Sequence, residues 1–202
     1  MSTIGLDKPY YATITEDPDG IETYGTPKVL AKAIQADLTV NLAEAILYAD
    51  DGGDVSVKEF QSGSLSLNVN DIGTAIAAEL TGATVDSNGV LVSCAEDIPP
   101  AVAIGFRAKK PNGKYRYFWL YRVQFGIPAA NLQTKGESIT FNTPTIEGTV
   151  LRRNKPDAQD KHPWKTDVTE GDTGVAAATI TNWLSAVYEP SYATQTNGGN
   201  PQ

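Results

Sequence analysis

The chain has 202 residues, 24 of them acidic and 16 basic, for a formal net charge of −8. That length fits one domain with a real core, and the acidic balance argues against a protein that grips nucleic acid by its phosphates. One cysteine excludes an internal disulfide, and one cysteine with one histidine cannot build a His/Cys metal site. Met1–Asp7 lacks the basic patch and apolar core of a signal peptide. No run approaches about 18 apolar residues, so no segment is expected to span a membrane and a reducing cytoplasm is the expected place of synthesis.

Most of the chain reads as β-strand. Tyr10–Thr15 forms a short strand, and Asp17-Pro18-Asp19-Gly20 reverses it into Ile21–Tyr24. Pro27 opens a strand-like stretch to Val40, with Leu30, Ile34, Leu38 and Val40 as expected core positions. Ala45–Ala49 runs into the loop Asp50-Asp51-Gly52-Gly53-Asp54 and then Val55–Phe60. From Ser64 to Asn70 the alternation is strict, with Leu65, Leu67 and Val69 on one face. Ile72, Ile76 and Leu80 then recur at four-residue spacing; Asn70 or Asp71 can cap that helix and Gly82 can close it.

Cys94 sits in the apolar run Val90–Cys94 and reads as a buried, inert thiol. Val102–Lys109 and Lys114–Phe125 flank Lys110-Pro111-Asn112-Gly113, the strongest hairpin signal in the chain. Period two places Tyr115, Tyr117, Trp119, Tyr121, Val123 and Phe125 on one face of the second strand. The opposite face is mixed, so the strand is expected to be covered on both sides. Ser138–Phe141 and Thr145–Leu151 are two further strands, Arg152–Lys161 a surface loop, and Val175–Tyr188 a second helix bearing Ile180, Trp183, Leu184 and Val187. Residues 193–202 are Asn/Gly/Gln-rich and read as a disordered tail behind a single domain over residues 1–192. The architecture is a two-sheet antiparallel β-sandwich or half-barrel with one or two short flanking helices.

Charge is segregated along the chain. Between Asp97 and Glu137 there is no acid but seven bases: Arg107, Lys109, Lys110, Lys114, Arg116, Arg122 and Lys135. Such segregation permits complementary contact between copies, although solvated strand faces would read the same way. The pattern makes Asp50, Asp51, Gly52, Gly53 and Asp54, with Arg107, Lys109 and Lys110, the candidate inter-subunit contacts.

Enzymatic chemistry is not advertised. Neither GxGxxG nor GxxxxGK[ST] occurs, and Gly-x-Ser-x-Gly is absent. His162 stands alone in a loop segment, and the spacing of Asp50, Asp51 and Asp54 does not match an EF-hand. No catalytic residue, cofactor or metal is assigned.

Several short stretches together carry a resemblance. They are Ile4-Gly5-Leu6, Leu47-Tyr48-Ala49-Asp50-Asp51, Ala103-Ile104-Gly105-Phe106 continuing into Asn112-Gly113-Lys114-Tyr115-Arg116-Tyr117, Trp119-Leu120-Tyr121, and Thr143-Pro144-Thr145-Ile146-Glu147-Gly148. In order and spacing, from about Ile4 to Tyr192, the chain resembles the major tail proteins of long, flexible-tailed phages of Gram-positive bacteria. The resemblance implies a β-sandwich subunit with a flanking helix, forming rings, usually hexameric, that stack into a hollow tube in a virion tail assembled in the host cytoplasm. Its expected partners are itself, a tape measure and a tail terminator, with DNA passing through the lumen unbound. Six copies would carry 6 × (−8) = −48 charges per ring, so an acidic or polar lumen is expected. Two other classes remain open from the residues alone: a carbohydrate- or receptor-binding β-module using the tyrosines of the hairpin, and a hydrolase using the acidic loop.

Overall fold

A computed structural model describes residues 3–49, 52–128 and 143–192, with the side chains of 46–55 outside that description. In chain order it contains β1 (Gly5–Glu16), β2 (Glu22–Tyr24), β3 (Lys28–Val29), β4 (Ala33–Ala49), β5 (Gly52–Val69), α1 (Thr74–Thr81), β6 (Thr84–Val85), β7 (Leu91–Val92), β8 (Ala101–Lys109), β9 (Tyr115–Phe125), β10 (Thr145–Leu151), β11 (Lys165–Thr169) and α2 (Ala177–Asn182). The fold is mainly β and antiparallel, of sandwich type with two short helices. One nine-stranded sheet runs β2-β1-β8-β9-β10-β5-β4, with β3 added to β1 and β11 added to β9; β6 and β7 pair separately.

The long sheet curls on itself. β8 and β5 lie three places apart, roughly 14 Å along a flat sheet. Yet Val102, Ile104 and Phe106 share one apolar core with Leu65, Leu67 and Val69. The alternation read over Ser64–Asn70 holds: those three β5 side chains are fully buried. α1 lays Ile76 and Leu80 against the same core, and Ile72 joins them from just before the helix. Its C-terminal cap is Gly82, whose φ of 77° and close approach to the Ile98 carbonyl both exclude a β-carbon.

A second core lies on the other face of β1, β8 and β9. Ala12, Ala103, Tyr117, Trp119 and Tyr121 are covered there by Trp183 and Val187 from the C-terminal segment. β9 is therefore buried on both faces, but not by an unbroken aromatic stripe. Val102 pairs with Val123 while Ile104 pairs with Leu120, so β9 carries one extra residue. That bulge reverses the parity of the strand. Tyr117, Trp119 and Tyr121 face the outer core, whereas Val123 and Phe125 join Leu120 in the inner one. Two glycines admit the large rings: a β-carbon on Gly105 would lie 2.7 Å from the ring of its cross-strand partner Trp119, and one on Gly148 would lie 2.8 Å from that of Phe125.

Four reversals share one geometry. In the loops starting at Asp17, Asp86, Lys110 and Asp157, the first residue's carbonyl accepts from the fourth residue's N–H, and its N–H donates to the fifth residue's carbonyl. The fourth residue, Gly20, Gly89, Gly113 or Asp160, is left-handed. Asp17, Asp86 and Asp157 each add a carboxylate oxygen that accepts two further backbone N–H bonds.

Several expectations are corrected. β1 is longer than Tyr10–Thr15, and the stretch after Pro27 breaks between β3 and β4. Leu30 is buried and Leu38 packs on the core, but Ile34 and Val40 are exposed. Ile34 falls at a register irregularity, and Val40 faces Gly63 at the rim of the core. Gly73, not Asn70 or Asp71, is the N-cap of α1, because Asn70 caps the Lys32 N–H instead. α2 ends at Asn182; Trp183 and Val187 are buried beyond it without a continued helix. Cys94 is exposed, since its apolar neighbours form only the small β6–β7 hairpin off the main sheet. The strand expected at 138–141 and the tail at 193–202 lie outside the described residues.

Candidate assembly surface

β5 takes β10 as a neighbour from Asn68 to Gly63, where the pairing with Val150 ends. β4 and β5 continue pairing with each other past that point, from Asn41↔Ser62 to Ala49↔Gly52. Asn41–Ala49 therefore belong to a two-stranded ribbon extending roughly 30 Å past the end of β10 at strand rise. Cross-strand partners share a face, so Leu42, Glu44, Lys58 and Phe60 lie on one side and Ala43, Ala45, Val57 and Glu59 on the other. Leu42 is 54% exposed and Val57 46%, one on each side. Near the base, Phe60 stacks on Trp164 with ring centroids 4.3 Å apart. Further out, the Glu44–Lys58 pair at 3.0 Å joins the two strands in solvent. Among the described residues no strand pairs with β4's outer edge, although part of β4 lies close to β1.

The candidate contact residues fall at two hairpin turns, that of β4–β5 and that of β8–β9. Asp50 and Asp51 lie outside the described residues. Gly52, Gly53 and Asp54 belong to the start of β5 rather than to a loop, with Gly52 opposite Ala49 and Gly53 opposite Tyr48. Arg107 is committed within the chain: it donates twice to Asp7, and its guanidinium lies 4.1 Å from the centre of the Tyr115 ring. Lys110 donates to the Thr169 hydroxyl. Lys109 is exposed, with no carboxylate partner among the described residues.

Segregation along the chain is thus partly undone in space. Arg116 pairs with Asp167, and Arg122 with both Glu16 and Glu22. Burial opposes the charge on Asp167, but the Arg116 bonds outweigh it and hold the carboxyl below its usual range. Glu22 is fully buried and accepts from both Arg122 and the Asn154 N–H.

The C-terminal segment is fastened by residues that composition did not reveal. Arg153, 1% exposed, bonds Glu189 and lies over the Tyr121 ring. Trp119 Nε1 donates to the Trp183 carbonyl and the Tyr121 hydroxyl to the Tyr188 carbonyl. Tyr192 donates to Asp157, which that bond and two backbone N–H groups keep below the usual carboxylate range. His162 sets its Nδ1 3.1 Å from the Arg153 carbonyl, a structural contact in this loop. The surface loop expected over Arg152–Lys161 is corrected at Arg153, whose side chain is buried under the C-terminal segment.

No family model matches the chain, and no curated protein is significantly similar to it. Among the described residues, no helix is long and apolar enough to cross a membrane, and no group of three or more His, Cys, Asp or Glu could hold a metal ion.

Proposed function

We propose that this protein is a self-assembling structural subunit, a tail-tube protein whose copies close into rings and stack into a hollow tube conducting a genome. The observation that carries the reading is the β4–β5 ribbon, whose described side chains beyond Phe60 are exposed on both faces and whose outer edge pairs with no strand among the described residues. A free two-stranded ribbon is marginal in water, and monomeric proteins blunt long edges with charge, proline or a covering element. β4 has no proline and only two charged side chains, Asp37 and Glu44. A head-to-tail contact on such an edge closes into a ring when its rotation permits. The resemblance to phage major tail proteins supplies the tube, the tape-measure and tail-terminator partners and the virion location.

The binding-module reading loses its platform. Tyr117 and Tyr121 are buried beneath the C-terminal segment, and Tyr115 packs under Arg107. Electron microscopy and sedimentation velocity of the purified protein over a concentration series test the proposal. Rings or tubes are the expected result; a species that stays monomeric at high concentration, with or without tail-initiation components, overturns it.

A further inference from the structure

A cavity of about 420 Å³ lies on the outer face, where α2 and the turn after it meet β1, β8 and β9. Lys8, Tyr10, Arg107 and Tyr117 line it from the strands, and Thr181 and Ser185 from the C-terminal segment. Among the described residues no carboxylate lines it. Asp7 is committed to Arg107, which donates to it from Nε at 3.1 Å and from Nη2 at 2.6 Å, so that charge is matched. Lys8 is exposed, with no carboxylate partner among the described residues, and leaves one unmatched positive charge at the cavity. Thr181 spends its hydroxyl proton on the Ala177 carbonyl. The Tyr10 and Ser185 hydroxyls bond no other described residue and remain free to donate. The backbone brings these groups together. Cross-strand partners share a face, so Asp7, Arg107 and Tyr117 lie on the outer side, as do Tyr10, Gly105 and Trp119. Asp7 and Tyr10 are three residues apart, and strict alternation would put them on opposite faces. The extra residue in β1, where the register with β8 slips, sets Tyr10 on the same wall as Arg107. Lys8 stands in that bulge at φ 51°, directly before Pro9. A left-handed lysine before proline is a costly conformation, of the kind that collects at ligand sites.

We propose that this cavity binds a small organic oxyanion, a hydroxylated carboxylate or a phosphate ester. The inference does not depend on the self-assembly reading above. Lys8 supplies the charge that the anionic group needs, and the Tyr10 and Ser185 hydroxyls supply hydrogen bonds to its oxygens, which are stronger for a charged acceptor. The volume falls in the range of small-molecule pockets, about 300–1,000 Å³, and leaves room for a carbon body beside the anionic group. The Tyr10 and Tyr117 rings, with Ile180 and Leu184 from the C-terminal segment, give that body apolar surface. Because Lys8 is exposed, its attraction is screened by salt, and binding weakens as ionic strength rises. A bound anion would also tie the C-terminal segment to β1, since Ser185 and Lys8 belong to different layers.

Titration calorimetry and amide NMR shifts of the full chain test this with citrate and ribose 5-phosphate, with ribose as the uncharged control. Each anion should bind at one site, with shifts centred on Tyr10 and Ser185, and ribose should bind at least about tenfold more weakly than its phosphate. Lys8→Gly removes the cation and keeps the backbone, since glycine adopts a positive φ freely. It should fold as the parent does by circular dichroism and bind both anions at least about tenfold more weakly. Ser185→Ala, at an exposed position, should weaken binding by a smaller factor. Lys109→Ala removes an exposed lysine outside the cavity and should bind as the parent does. The proposal is overturned if neither anion binds the parent, if ribose binds as well as ribose 5-phosphate, or if Lys8→Gly keeps the parent's affinity. Shifts scattered over Lys109, Lys114 and Lys161 would overturn it equally, as non-specific attraction to surface charge. None of these measurements reads assembly, so either conclusion can fail while the other stands.

Discussion

The β8–β9 and β4–β5 hairpins are built from the same antiparallel ladder, yet one is the most enclosed part of the molecule and the other the barest. β9 carries Tyr115, Tyr117, Phe118, Trp119, Tyr121 and Phe125 in eleven residues, enough apolar area to fill a core on each face. In the outer half of β4, Asn41–Ala49, the side chains described are those of Asn41 to Ala45, one leucine and two alanines beside Asn41 and Glu44. Those five side chains are all exposed, with no second layer over them. Its backbone ladder is intact, but its described side chains add little to the packing of the monomer, so on the proposed reading their contribution belongs to an assembly.

Mutations in the two hairpins should therefore separate folding from association. The largest effect is expected from Trp119→Ala, which empties a fully buried site against Gly105 and removes the bond to the Trp183 carbonyl. A loss of about 3–5 kcal/mol is expected in urea unfolding; a loss below about 1 kcal/mol would mean the outer core is not cohesive. Carboxylates give a parallel contrast. Glu22→Ala removes the fully buried partner of Arg122 and the acceptor of the Asn154 N–H, at an expected cost of about 3 kcal/mol. Glu44→Ala breaks an ion pair whose members are about half exposed and should cost no more than about 0.5 kcal/mol.

The packed side also has a signature in pH. Burial, then the hydrogen bond to the Glu79 carboxylate, pushes the Tyr11 phenol up to about 12. The folded protein holds this proton more tightly than the unfolded chain, whose tyrosines titrate near 10. The resulting stability is complete below about pH 10 and is lost as pH rises through about 12. In an ultraviolet titration, Tyr11→Phe should remove one late-titrating phenol and shallow the alkaline fall in melting temperature. An unchanged titration curve would show that Tyr11 is not held this way.

How much of this was legible depends on whether a residue's role is local. Alternation at Leu65, Leu67 and Val69, the Lys110–Gly113 turn and the α1 stripe are local patterns, and each was readable. The β9 bulge was not, because one extra residue changes which face Val123 and Phe125 occupy without changing any residue type. Ile34 and Val40 satisfied the same alternation as the buried positions, but Ile34 falls at a register irregularity and Val40 at the rim of the core. Cys94 misled for the converse reason, an apolar run belonging to a small hairpin off the main sheet. Of the candidate contacts, Arg107 was picked for its charge, but its partner Asp7 lies a hundred residues away, a distance that composition does not bridge.

The smallest expected effect on folding is the most informative about function. Leu42 and Val57 lie on opposite faces of the ribbon, both exposed and both absent from the two cores. Leu42→Thr and Val57→Thr keep strand-compatible side chains, since threonine suits a pleated edge. Surface changes away from any core usually move stability by less than about 0.5 kcal/mol, so neither should shift the urea midpoint of the monomer measurably. If a partner covers both faces of the ribbon, each substitution removes a buried methyl contact at every junction of a closed ring. Each variant should then need a higher concentration to assemble, while its monomer stays as stable as the parent. A midpoint shift comparable to that of Trp119→Ala would place these side chains in the fold itself. Unchanged assembly for both would mean that the bare ribbon is not the surface through which copies meet.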